Sequence, residues 1–288
     1  MWLIDVIIGG AILGALFSLI AVGLNLQYGV TRILNIAHGE FLVIGAYVTY
    51  ILFTYYGVNP MLSLVISGPT VFLIGVFLQV SVFRKLIHLS KSAEELEFRS
   101  LLVCFGLQFI IQNLIRSRFG TAPIGAPYLM ETVSILGEKF QINRIVAAII
   151  AVAISVALYF LLRSTKAGLA MRAAVEEPTG AQLVGVNILK IHALSFGLGA
   201  LTSALAGSMY SMIEPTINPY AGSRFTFIAL AVIILGGMGS FVGSLLGGFF
   251  IGYLNYITLK MDPLITMAVV YAFIVIMLII KPKGLLGR

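Results

Sequence analysis

Residues 3–26 read LIDVIIGGAILGALFSLIAVGLNL, twenty-four positions with a single charge, Asp5, and no proline. The hydrocarbon core of a bilayer is crossed by about 20 apolar residues in helical form. The run is too long for a strand and does not alternate, so it reads as a transmembrane helix. No basic segment precedes it and no convincing cleavage site follows, so it is expected to be a retained span and not a removed signal. Working outward with the same ruler, further apolar runs lie at about 41–56, 61–83, 100–115, 145–162, 191–213, 225–239, 241–260 and 264–280. The chain is therefore predicted to be an all-α polytopic bundle, one transmembrane domain over 1–288, with about 8–9 membrane segments. The second, fourth and seventh runs are short. A broken or re-entrant helix is tolerated at membrane depth only where protein buries it or it lines a cavity.

Composition agrees. The chain is 60% apolar and 10% charged, with a mean hydropathy of +1.06, whereas a soluble domain carries about a quarter charged residues. The formal charge of +7 does not form one patch for nucleic acid. It punctuates the gaps between apolar runs. With the N-terminus outside, the inner segments hold twelve of the eighteen basic residues: Arg32; Arg84, Lys85, Lys91 and Arg99; Arg163, Lys166, Arg172 and Lys190; Lys281, Lys283 and Arg288. Arg116, Arg118, Lys139, Arg144, Arg224 and Lys260 fall outside, a bias in the sense of the positive-inside rule. Arg116 and Arg118 fit it least well.

Several function classes drop out. Cys104 is the single cysteine, which excludes an intrachain disulfide. His38, His88 and His192 lie far apart and make no metal-ligand pair. No G-x-S-x-G elbow and no G-x-x-x-x-G-K-[ST] phosphate loop occurs, so the chain is not expected to be an enzyme, and any ATP-driven work would fall to another chain.

Four features stand out from the apolar background. Gly239, Gly243 and Gly247 recur every four residues, so a helix carrying them would offer one small face for close packing or a subunit interface. NIAHGEF (35–41) places Asn35, His38 and Glu40 between the first two spans; Asn35 and His38 would share a face if helical. Polar groups at membrane depth mark a candidate translocation pathway, while a capped turn at the inner surface is the alternative. The inner segment, about 163–190, contains Pro178 at a helix start and Gly185 at its stop. Around them Glu176, Glu177, Ala181, Leu183, Val184 and Val186 form a short, partly apolar docking element. The outer segment, about 116–144, offers a face to an external partner. Glu214, Pro215 and Asn218 sit at the end of another span.

These segments resemble the LivH-type permeases of branched-chain amino acid importers. The resemblance is carried by GLNLQYGVTRILNIAHGEFLVIGAY (23–47), KAGLAMRAA (166–174) with AQLVGV (181–186), and ILGGMGSFVGSLLGG (234–248), in that order. Ala181 and Gly185 look like the core of the loop by which importer permeases grip their ATPases, although the glutamate two places before that alanine is Thr179 here. The resemblance implies an inner-membrane subunit translocating branched-chain or related amino acids by alternating access. It also implies a second, LivM-like permease, two cytoplasmic ATPases carrying the ATP and Mg, a periplasmic binding protein, and no cofactor on this chain. Relatives handling urea or short amides leave the substrate open. A secondary transporter is the rival reading, but it would need ion-coupling groups within the spans, and these carry almost no charge.

Overall fold

The computed structural model describes residues 2–214, 216–281 and 284–286; Pro215, Lys283 and Arg288 lie outside them. Apolar helices occur at all nine expected places: α1 (Trp2–Thr31), α2 (His38–Tyr56), α3 (Pro60–Leu78) running through a π turn (Gln79–Phe83) into α4 (Arg84–Leu89), α5 (Ala93–Phe119), α6 (Ile142–Ser164), α9 (Ile188–Ile213), α10 (Ala221–Gly236), α11 (Phe241–Met261) and α12 (Thr266–Ile280). Two short helices, α7 (Lys166–Glu176) and α8 (Pro178–Leu183), fill the inner segment. A hairpin of β1 (Thr132–Ile135) and β2 (Glu138–Gln141) fills the outer one, antiparallel with Thr132 opposite Gln141. Six of the helices are long and apolar enough to cross a bilayer.

The fourth apolar run, read as short, is a full helix of 27 residues. The hydropathy ruler missed its ends because they are polar. Ser92 caps the first turn by accepting a hydrogen bond from Glu95 N, and Glu94 and Glu95 lie at the positive end of the helix. Arg116 and Arg118 are its last turn, where cations are favoured. That accounts for the two arginines the positive-inside rule placed awkwardly.

Contacts between helix ends sort the bundle into two sides. Asp5 meets Lys260 at 2.9 Å and Arg144 meets Glu214 at 3.7 Å on one side. Tyr28 donates to Glu97 at 2.9 Å, and Leu285 N donates to Leu235 O at 2.7 Å, on the other. The first side carries the hairpin and the start of α1; the second carries α7 and α8. This is the alternation expected for nine segments.

The centre of the bundle is α1. Every residue from Gly14 to Thr31 is buried, as suits a helix apolar on all faces. Its neighbours are α11, α9, α6 and α10. In lipid, helices associate by close van der Waals approach and not by escaping water, and the glycines stand where that approach is tightest. A Cβ on Gly252 would collide with the backbone of Gly14, and one on Gly248 with Ser18. The second hub is α9, packed on α1, α2 and α3. A Cβ on Gly207 would run into the backbone of Leu42, which fixes how closely α2 lies against α9.

Candidate functional site

The NIAHGE segment is a break between two helices that lies buried within the bundle. Arg32 has φ 57°, a left-handed conformation that ends α1. The chain then folds back alongside α1 until His38 opens α2. His38 Nε2 lies 3.0 Å from Ile20 O. Ile20 is eleven residues before the end of α1, about 16 Å deep by the helical rise. Asn35, His38 and Glu40 are all buried, and Arg32 is exposed. The segment is therefore packed inside the protein, and of its four polar groups only Arg32 reaches the surface.

Asn35 and His38 do meet, though not by sharing a helix face, because Asn35 precedes α2. They converge on Gln27 of α1. Asn35 Nδ2 donates to Gln27 Oε1 at 3.1 Å, and His38 Nδ1 faces the same oxygen at 3.2 Å. Gln27 Nε2 donates in turn to Phe196 O of α9 at 2.9 Å. Both ring nitrogens of His38 thus face carbonyl oxygens, and a neutral imidazole can donate to one only. Ser203 of α9 holds His38 O at 2.9 Å. The break is locked to α1 and α9 at once.

Glu40 turns the other way. It is 1% exposed; its Oε1 accepts from Gln112 Nε2 of α5 at 2.9 Å, and its Oε2 has no partner among the described residues. Beside it stands the start of α10, a helix of 16 residues. Gly39 N donates to Thr226 Oγ1 at 2.8 Å, and Thr226 Oγ1 donates to Ile36 O at 2.9 Å. Ser223 Oγ accepts from Gln108 Nε2 at 2.6 Å and from Gln112 Nε2 at 3.4 Å. One turn further along α5, Arg116 Nη1 donates to Tyr220 Oη at 3.2 Å. The N-termini of two short helices, α2 and α10, therefore meet within the bundle, against a polar stripe on α5. Sequence reading missed Gln27, Gln108, Gln112, Ser223 and Thr226. Gln108, Gln112 and Arg116 recur every four residues in an apolar helix, which was the available signal.

The polar groups that follow α9 are tied down. Tyr210 donates to Glu214 Oε2 at 2.8 Å, and Asn218 Oδ1 accepts from Tyr220 N at 2.9 Å.

On the side that carries α7 and α8, Glu176 ends α7, and Glu177 caps α8, its carboxylate accepting from Thr179 N at 3.2 Å. Pro178 is the first helical residue and Gly185 leaves the helix at φ 89°. Ala181 is buried in an apolar cluster with Val22, Leu26, Met171 and Ile191, and Val186 packs on it. Leu183 and Val184 stand 85% and 79% exposed. One side of α8 is thus anchored on α7 and α9, and the other presents two bare aliphatic side chains.

The glycine ladder does not form one stripe. Helix α11 begins at Phe241, so Gly239 lies in the preceding turn, at φ 87°. Gly239 N donates to Asn25 Oδ1 at 2.6 Å, and Asn25 Nδ2 donates to Ser240 O at 2.8 Å and to the Ser244 hydroxyl. Gly243 and Gly247 face the α10 backbone, whereas Ser244, Gly248 and Gly252 face α1. Among the described residues these contacts lie within the chain.

Comparison with known proteins follows the same outline. The family described as "Branched-chain amino acid transport system / permease component" matches residues 6–280. The chain is 27% identical to the high-affinity branched-chain amino acid transport system permease protein LivH of Salmonella typhimurium, over 100% of this chain and 96% of that one. It is 26% identical to the permease protein BraD of Pseudomonas aeruginosa, over 98% of this chain and 95% of the relative. No solved structure matches.

Proposed function

Because the chain belongs to the permease components of branched-chain amino acid transport systems, we propose that it carries branched-chain amino acids across the cytoplasmic membrane, driven by separate ATPase chains. The observation that carries the reading is the match over 6–280 together with relatives of nearly equal length named for this substrate. The chain is the conduit. A second, LivM-like permease would complete the pathway, a binding protein would deliver the solute from outside, and two ATPases would bind ATP and Mg on the inside.

Power enters at α8. Leu183 and Val184 offer a small apolar knob that fits a pocket on a cytoplasmic partner. Ala181 and Val186 connect that knob to α7 and α9, so a displacement of α8 is carried by packed side chains into α9. Helix α9 holds Gln27 through Phe196 and the start of α2 through Ser203. Movement at the ATPase is thereby delivered to the re-entrant break, where Asn35, His38 and Glu40 stand. Alternating access in this scheme is a shift of α2 and α10 relative to α1 and α5.

The test is a competition assay on cells or proteoliposomes bearing the whole system. Unlabelled leucine, isoleucine and valine should each displace labelled leucine uptake. Displacement by urea or short amides, with none by the three amino acids, would replace the substrate while keeping the permease role.

A further inference from the structure

We propose that Glu40, Gln108 and Arg116 form a site along the seam of α2, α5 and α10 for the two charged heads of a zwitterionic α-amino acid, the ammonium at Glu40 and Gln108 and the carboxylate at Arg116. The proposal rests on the substrate reading above and adds the residues that recognise it.

Three observations converge on this place. First, Glu40 is a carboxyl group buried within the bundle, with no cation beside it among the described residues. An ionisable group at that depth is expensive unless a partner of opposite charge meets it. A chain built only to stand still would use glutamine or an apolar residue there. Second, the unmet atoms are of one kind. Glu40 Oε2 and Gln108 Oε1 are buried acceptors without donors, although the amide nitrogens of Gln108 and Gln112 are both engaged on Ser223. A pair of buried acceptors without donors calls for a ligand rich in N–H groups, and an ammonium has three. Third, the cation lies one step further along. Gln108, Gln112 and Arg116 share one face of α5, spanning about 12 Å. Neighbours four apart on a helix have Cβ atoms about 6 Å apart. Arg116 is exposed, and its bond to the Tyr220 hydroxyl aims it at the start of α10, where Ser223 also sits. In a zwitterion the ammonium and the carboxylate hang from one carbon, so an ammonium at Glu40, which Gln112 holds, leaves the carboxylate facing the next turn of α5, the one that carries Arg116. A neutral diamide such as urea satisfies the acceptors but leaves the guanidinium without an anion.

The recognition is confined to the amino-acid head group. No branched side-chain pocket is assigned to it, so the site selects α-amino acids as a class.

The test uses the complete transporter in proteoliposomes, loaded with binding protein and 14C-leucine, with leucine moved per ATP hydrolysed as the readout. That ratio separates a lost solute site from poor assembly, which lowers transport and hydrolysis together. Glu40→Gln keeps the bond to Gln112 and removes the charge; the expected result is a fall in leucine per ATP of about tenfold or more, the scale of a hydrogen bond to a charged group. Arg116→Gln should give a fall of the same order. A wild-type ratio for Glu40→Gln in assembled complexes would overturn the inference and leave the transport function standing. Should Glu40→Gln fail to assemble, Gln108→Leu and Arg116→Gln decide by the same ratio. A wild-type complex that moves no zwitterionic amino acid would overturn the substrate reading and this site with it.

Discussion

Gly207→Ala should loosen the seam that holds the re-entrant break in place, and the size of the effect follows from the seam's geometry. Gly207 of α9 faces Leu42 of α2 with no side chain between them; an added Cβ would lie 2.9 Å from Leu42 Cα and still closer to its carbonyl. Ordinary carbon contacts begin near 3.5 Å, and backbone cannot swing aside as a side chain can, so the helices must part by about 1 Å. That parting stretches two hydrogen bonds across the same seam, Ser203 to His38 O at 2.9 Å and Ser208 to Gly45 O at 3.1 Å. Each is worth about 1 kcal/mol, and overpacking adds about 1–3 kcal/mol. The sum is about 3–5 kcal/mol, or a fall in melting midpoint of roughly 6 °C or more. Gly106→Ala is the control. Gly106 is an exposed helical position of α5 with open space where its Cβ would stand, and alanine should stabilise it by up to about 1 kcal/mol through helix propensity. The assay is thermal unfolding of both variants in detergent. Equal midpoints for the two would refute the close-approach reasoning.

Leu183→Asp with Val184→Asp should abolish co-purification of the ATPases while the chain inserts and folds normally, because both side chains are bare; retained ATPase would sink the docking role of α8. Charges at Gly185 or Val186 are a poorer choice, since Gly185 needs its positive φ and Val186 packs on the anchoring cluster. His38→Ala should cost about 1–3 kcal/mol of stability and lower uptake, because whichever of Ile20 O and Gln27 Oε1 takes the single imidazole N–H loses that buried donor; uptake at the wild-type rate would return the break to a structural role. Asn25→Leu, which strips the α10–α11 turn of its bonds from Gly239 N and to Ser240 O and Ser244, should destabilise by about 2–4 kcal/mol, read as a lower melting midpoint; an unchanged midpoint would mean that the turn holds itself.

Sequence periodicity and length located every apolar helix, because a bilayer imposes one simple rule on a span. The same rule misjudged α5, since hydropathy is blind to caps and terminal charges that extend a helix past its apolar centre. Asn35, His38 and Glu40 were visible as polar groups out of place, but their separation was not. Two bind inward to Gln27 and the third faces α5 and α10, because the left-handed turn at Arg32 breaks the helix that would have aligned them. The ladder of glycines showed where helices come close. That Gly239 sits in a turn and Gly248 faces a different helix from Gly247 depends on where α11 begins, which the Ser240 cap decides. Gln108 and Gln112 were legible only as a repeat of four; the carboxylate that Gln112 meets lies 72 residues away in the chain.

The central claim is that this chain is the conduit of an ATP-driven amino acid importer and has no engine of its own. Its most direct test is 14C-leucine uptake into proteoliposomes holding the chain with its partner permease, with and without the ATPase subunits and ATP. Uptake that appears only when the ATPases and ATP are present together, and that stops with Leu183→Asp and Val184→Asp, is the predicted result. Leucine accumulation without ATPases, driven by a proton or sodium gradient, would contradict it.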